Sequence, residues 1–315
     1  MAAMKSRWLL ALLVACNGDS PSGGIDAAAG DGNGADAAPV NPLDGIGSVE
    51  IVQGGYMFTE GPQWRETEGD LLFTDIPAST IYRYTGAGMP VSFRNPSGEA
   101  NGLATDGNGA VIAAQHNTHS VTRDGVEIVS VFENNRLNSP NDVIVAGDGT
   151  IYFTDPPYGL PGGTTGQPFM GVFRIAPNDQ LTAEYRGATT ERPNGIGLSL
   201  DEKTLYVADT ADGKLWAFPI DANGALGTRT MLAQTAGGAD GLAIDSAGNI
   251  YVTSSAGVEV FSPAGTKWGT IMVPKKPSNC AFGDADHRTL YITGNGGGSG
   301  ALYKVRLANP GMPRK

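Results

Sequence analysis

Six residues that carry side-chain oxygen open the same kind of segment along this 315-residue chain: Glu60, Asn101, Asn141, Asn194, Asp240 and Asn279. Each precedes a short apolar stretch, then a turn, then a second stretch rich in β-branched and aromatic residues. Asn141-Asp142-Val143, for example, runs on to Thr150-Ile151-Tyr152-Phe153-Thr154-Asp155. If the six leaders converge, they form a ring of carboxylate and amide oxygens. Such a ring suits a hard cation, calcium foremost, in a flexible shell completed by water. No Cys or His leads a segment, so zinc and copper fit the pattern poorly.

Convergence depends on the elements that carry these residues. Successive leaders stand 41, 40, 53, 46 and 39 residues apart. A period near forty, with several short β-rich runs broken by Gly, Asp, Asn and Pro, is the mark of a β-propeller. A helical repeat would show apolar spacings of three and four, which are missing here. The sequence therefore predicts an all-β, six-bladed propeller of four-stranded blades over residues 49–315, with the first strand of each blade on the central channel. Val49-Glu50-Ile51-Val52 and Ala301-Leu302-Tyr303-Lys304-Val305-Arg306 are expected to pair and close the ring, which removes exposed edges. The long third step is filled by Gly159-Leu160-Pro161-Gly162-Gly163-Thr164-Thr165-Gly166, read as a loop over one face.

The first 48 residues read differently. Lys5 and Arg7 precede the apolar run Trp8–Ala15, too short to span a bilayer. Leu13-Val14-Ala15-Cys16 resembles a lipoprotein signal, cut after residue 15 and lipidated on Cys16. Residues 16–48 are rich in Gly, Ala and Asp and predict a flexible acidic tether. The protein is thus expected to be an exported cell-envelope lipoprotein, touching membrane only through its lipid, and a monomer. Of the net charge of −11, the first sixteen residues contribute +2 and the tether −5, leaving −8 on the domain. An acidic domain without a basic cluster argues against nucleic acid. Cys280 is the only other thiol, so there is no disulfide framework, and its apolar surroundings predict a buried, inert group.

Each candidate has an ordinary alternative. Glu60 alone would be a turn carboxylate before Gly61-Pro62; its register with five other polar leaders makes it a metal ligand. Asn-Gly and Asp-Gly pairs commonly make hairpin turns, yet here they start strands, and the repeat has separate turns at Asp106-Gly107, Asp148-Gly149 and Ala247-Gly248. Asp75, Asp155 and Asp209 recur at the ends of second strands and are expected to cap backbone amides. His116 follows a second strand and could edge the channel mouth, whereas His119 is expected to be exposed. No Gly-X-Ser-X-Gly elbow, dinucleotide fingerprint or P-loop is present.

Together these stretches resemble the gluconolactonase and senescence-marker-protein (regucalcin) family of six-bladed propellers. The resemblance is carried by Glu60-Gly61-Pro62-Gln63-Trp64, Asn138-Ser139-Pro140-Asn141-Asp142, Arg192-Pro193-Asn194-Gly195, Asp240-Gly241-Leu242 and Pro277-Ser278-Asn279-Cys280-Ala281-Phe282-Gly283. It implies one divalent cation, usually Ca2+, with Zn2+, Mg2+ or Mn2+ as substitutes, and hydrolysis of a lactone. Glu60, Asn141, Asn194 and Asp240 stand at the family's ligand positions. Asn101, Asn141, Arg136 and His116 are expected to face substrate. Where animal members carry a substrate-contacting Arg, this chain has Ser139; Arg136 is nearby. In this reading the metal polarises the carbonyl, and Asp240 orients or activates water, with His116 sharing the proton work. The rivals are a phosphotriesterase on the same scaffold and a non-catalytic ligand-binding propeller with a structural calcium.

Overall fold

The computed structural model describes residues 40–160 and 166–313. Residues 1–39, with Cys16, and residues 161–165 of the long third-step loop lie outside the described residues.

Six four-stranded antiparallel sheets follow one another along the chain. Their innermost strands are Thr59–Arg65, Ala100–Thr105, Val143–Val145, Pro193–Leu198, Leu242–Ile244 and Lys276–Gly283. Each packs against the next, and the sixth packs against the first, so the strands form a closed ring. Closure is covalently out of sequence. Glu50–Tyr56 is the outermost strand of the sixth sheet, antiparallel to Ser299–Arg306, with Glu50 opposite Lys304 and Tyr56 opposite Gly300. The pairing expected of the two chain ends is therefore present.

Six apolar clusters fill the six gaps between neighbouring blades. Leu71 and Phe73 of blade 1 pack against Tyr291 and Leu302 of blade 6, whereas Leu72 between them packs against blade 2. Likewise Ile151 and Phe153 face blade 2 and Tyr152 faces blade 4. Side chains of a strand alternate between its two faces. Here both faces are buried, so the second strands read as unbroken apolar runs instead of alternating ones.

Two expectations change. Residues 41–47, assigned to the tether, belong to the domain: Leu43 and Ile46 pack on the blade 5–blade 6 cluster, and Gly47 N donates to Arg306 O at 2.9 Å. Their apolar side chains find a partner only once the ring is closed. His119 is buried, not exposed, with Nδ1 against the Asn138 carbonyl of the neighbouring blade.

Candidate active site at the channel mouth

The leaders turn inward because the inner strands break register where they stand. Pairing slips between Glu60 and Gln63 and between Pro193 and Ile196; a bulge of this kind re-aims side chains. In blades 3 and 5 regular pairing starts only at Val143 and Leu242. Asn141 N there donates to Thr154 O and Asp240 N to Thr253 O, at 2.8 and 2.9 Å. The glycine that follows a leader permits close approach of the next blade. A Cβ on Gly61, where φ is +48°, would lie 2.0 Å from Asn101 O, and one on Gly241 would lie 2.0 Å from the Asn279 side chain. The strand-end acids hold each leader's approach loop, as expected. Asp75 accepts from Met57 N and Phe58 N, both at 2.9 Å. Asp155 accepts from Asn138 N and Ser139 N at 2.8 and 2.7 Å, and Asp209 from Arg192 N at 2.9 Å.

Five of the six leaders, Glu60, Asn101, Asn141, Asn194 and Asp240, line one cavity of about 350 Å³ at the N-terminal ends of the inner strands. Asn279 does not. Its Oδ1 accepts from Cys280 N at 2.8 Å and its Nδ2 reaches Asp142 Oδ2 at 3.4 Å, while the same side chain bonds Glu60. It therefore links the mouth to the channel interior.

The remaining wall divides by character. Phe58, Ile76 and Pro77 form an apolar side, and Tyr158 and Thr210 a polar one. Asn194 Nδ2 donates to Thr210 Oγ1 at 2.9 Å, and the Tyr158 hydroxyl stands beside this pair. Gly159 N donates to Ser139 Oγ at 2.8 Å, which fixes the backbone beside Tyr158. Tyr158 and Thr210 escaped the sequence reading, although a signal existed. Ile76, His116 and Thr210 each occupy the position directly after a second strand. Arg136 is not at this site. It pairs with Val131 in the small hairpin Val131–Phe132/Asn135–Arg136 and is exposed outside the cavity. That hairpin's register, set by local pairing, carries Arg136 away from the axis.

The electrostatics of the mouth are dominated by burial. Glu60 is buried and Asp240 half-buried, both in the wall of the cavity. Burial first, and then the charges of Asp240 and Asp142, push Glu60 well above the ordinary carboxylate range. Asp240 is pushed up to about 7 by burial, with the Lys276 charge opposing. Neither is in a salt bridge among the described residues. His116 is lowered to about 4 by burial and stays neutral near neutral pH; its Nε2 lies 3.1 Å from Asn101 Nδ2.

Among the described residues no three acidic, His or Cys side chains converge to hold a metal. The donor set at the mouth is mixed: two carboxylates and three amides, all oxygen-bearing. Two carboxylates in one cavity wall, neither in a salt bridge, are costly unless protonated or neutralised. This donor set fits a hard divalent cation, which would satisfy both carboxylates at once.

Residues 58–295 match the family described as the SMP-30/Gluconolactonase/LRE-like region. A gluconolactonase from Zymomonas mobilis is 34% identical over 288 residues, covering 80% of each chain. A regucalcin from Xenopus laevis is 26% identical, covering 83% of this chain and 91% of its own. Among solved structures, a gluconolactonase from Xanthomonas campestris superposes with a TM-score of 0.77 at 31% identity, covering 85% of this chain and 91% of that one.

Proposed function

The chain belongs to the SMP-30/gluconolactonase/LRE-like family, and from that premise we propose that it is a hydrolase opening a lactone ring in the channel-mouth cavity. The observation that carries the reading is that Glu60 and Asp240 share the wall of one cavity with three amide side chains and neither forms a salt bridge among the described residues. Glu60, Asn141, Asn194 and Asp240 would hold a divalent cation, calcium being the best match to all-oxygen donors. Such a cation, when bound, supplies a Lewis acid for the substrate carbonyl.

The chain's own groups supply the rest. The apolar side formed by Phe58, Ile76 and Pro77 takes the hydrocarbon face of the ring, and Tyr158 and Thr210 offer hydroxyls to its substituents. Asp240 orients or activates the attacking water; held on a dication its carboxylate stays ionised, so positioning the water is its main part. His116 acts chiefly on Asn101. Its neutral Nε2 accepts from Asn101 Nδ2, which fixes the amide and leaves its second N–H for the developing oxyanion. His116 can take a proton itself only after that bond is released.

The test is a hydrolysis screen over aldonolactones, aliphatic lactones and phosphotriesters, with and without chelator. Turnover of a lactone that chelator abolishes and calcium restores is the expected result. Activity confined to phosphotriesters would move the reaction class, and no turnover of any substrate would leave a binding propeller. We also propose that the mature protein is anchored through Cys16. Cys16→Ser should then move it from the membrane to the soluble fraction, and unchanged fractionation would refute the anchor.

A further inference from the structure

A second cavity, of about 510 Å³, adjoins the site. It shares Phe58, Pro77 and Asp240 with the first and extends over the start of blade 6. Most of its polar wall is already engaged. Asn295 Oδ1 accepts from Thr59 N at 2.8 Å, and its Nδ2 donates to Thr59 O at 2.9 Å and Ser278 Oγ at 3.0 Å. Ser278 Oγ donates to Thr59 O at 2.8 Å. Lys275 is spent on the turn that borders the cavity, donating to Gly296 O at 3.0 Å and Ser299 O at 2.7 Å. Met57, Phe58, Pro77 and Pro277 make the rest of the wall apolar.

Lys276 is the exception. It lines the cavity, is exposed, and its ammonium makes no hydrogen bond or salt bridge among the described residues. Its Nζ lies over the Gly237-Gly238 turn that leads into Asp240. A Cβ at Gly238, where φ is +59°, would come within 3.4 Å of it and 2.9 Å of Ser255 Oγ. The glycine thus keeps the space that the ammonium occupies. The Lys276 charge bears on Asp240, yet no protein acceptor among the described residues takes a hydrogen bond from the ammonium, so with its apolar surroundings it is a place for a negative charge to bind. In the first cavity a negative substituent would meet both Glu60 and Asp240; in the second it meets Asp240 alone, with a cation beside it.

We propose that this second cavity is a substrate subsite in which Lys276 receives an anionic substituent, a sulfonate, phosphate or carboxylate, carried by the lactone away from its ring carbonyl. The proposal rests on the hydrolase reading above and names the substrate class that reading leaves open. No covalent step is involved; Lys276 sets specificity.

The test compares one neutral lactone with the same lactone bearing a sulfonate on its side chain, by kcat/KM, in the wild type, Lys276→Gln and Lys276→Arg. The wild type should prefer the sulfonated substrate. Lys276→Gln should lower that preference by about tenfold, the lower end for a charge-assisted hydrogen bond at a solvent-accessible position, and Lys276→Arg should keep most of it. Any effect of the lost charge on Asp240 falls on both substrates, so the ratio isolates the subsite. No wild-type preference for the sulfonated lactone, or an equal fall for both substrates in Lys276→Gln, overturns the proposal. If the wild type opens neither lactone, the hydrolase reading has failed separately. Calorimetric titration of the two ring-opened hydroxy acids then decides. Tighter binding of the sulfonated acid that Lys276→Gln abolishes supports the subsite, and equal affinities in the wild type sink it.

Discussion

The mouth and the interior of the central channel both hold carboxylates, and they treat them differently. At the mouth Glu60 and Asp240 face a cavity of about 350 Å³. Glu60 accepts from Gly61 N at 3.0 Å and meets the Asn279 side chain, and Asp240 meets the Asn194 side chain. Deeper in the channel Asp142, the residue before Val143–Val145, lines a cavity of about 90 Å³ whose lining runs on to Met312. Its Oδ1 accepts from Val143 N at 3.1 Å, and its Oδ2 from Ile196 N at 3.2 Å and Asn279 Nδ2 at 3.4 Å. Asp142 is thus bonded by three blades at once and ties the ring together. The mouth carboxylates keep oxygen in reserve for something brought from outside. A buried charge whose donors come from the fold is structural; one with few internal donors and open space before it is a candidate for chemistry.

The comparison can be broken most directly at Asp240. Asp240→Asn keeps the shape and one oxygen, so melting should shift little, because stability is spread over six packed sheets. Hydrolysis at saturating calcium should fall by about a hundredfold or more, the lower bound for loss of a positioned base. Near-normal turnover at saturating metal would reduce Asp240 to a ligand. Glu60→Gln, by contrast, should weaken calcium binding and regain most of its rate in excess calcium.

His116→Ala should cost roughly tenfold in rate through release of Asn101, within the range for a single hydrogen-bonding group. With the imidazole lowered to about 4 in the fold, His116 should contribute no limb near the ordinary histidine value of 6.5. A limb there that vanishes in the variant would mean that His116 titrates in catalysis.

Inside the channel the outcome should reverse. Asp142→Asn turns an N–H2 towards existing donors and should cost about 1–3 kcal/mol of stability by urea unfolding, with kcat largely kept. A steep fall in kcat at unchanged stability would erase the distinction between mouth and interior.

Asp155 extends the contrast to pH. Burial raises its carboxyl from an ordinary 3.8 to about 7 against the pull of two amides. A raised carboxyl favours the protonated fold, so its contribution is complete below about pH 4 and is lost as pH rises through about 7. Chelated protein should therefore lose stability between those values, and Asp155→Asn should flatten that part of the curve. An identical slope in both proteins would mean that Asp155 is ionised throughout.

Cys280 should give the smallest effect. Its thiol is buried at 3% exposure and raised by burial, so thiol reagents should not label the native protein. Cys280→Ala should cost no more than about 1 kcal/mol, as for loss of one small buried group.

The number of blades, the closure by Glu50–Tyr56, the inward leaders, the capping role of Asp75, Asp155 and Asp209 and the burial of Cys280 were all legible in the sequence. Each rests on a local pattern repeated at a fixed period, and repetition turns weak signals into a register. The same repetition misled at Asn279, which occupies a leader's position and turns away from the mouth to Asp142, 137 residues earlier. His119 looked like a loop residue until the Asn138 carbonyl of the next blade covered it. Arg136 is close to Asn141 in sequence, yet its hairpin carries it outside. Residues 41–47 lacked a core of their own and found one between blades 5 and 6. Tyr158 and Thr210 reach the same wall from different blades. Sequence determined which segments form strands and which face of each turns inward, because those follow from the chain's own periodicity. Tertiary structure decided which polar groups meet, because their partners lie tens to hundreds of residues away and come within hydrogen-bonding distance only when the ring closes.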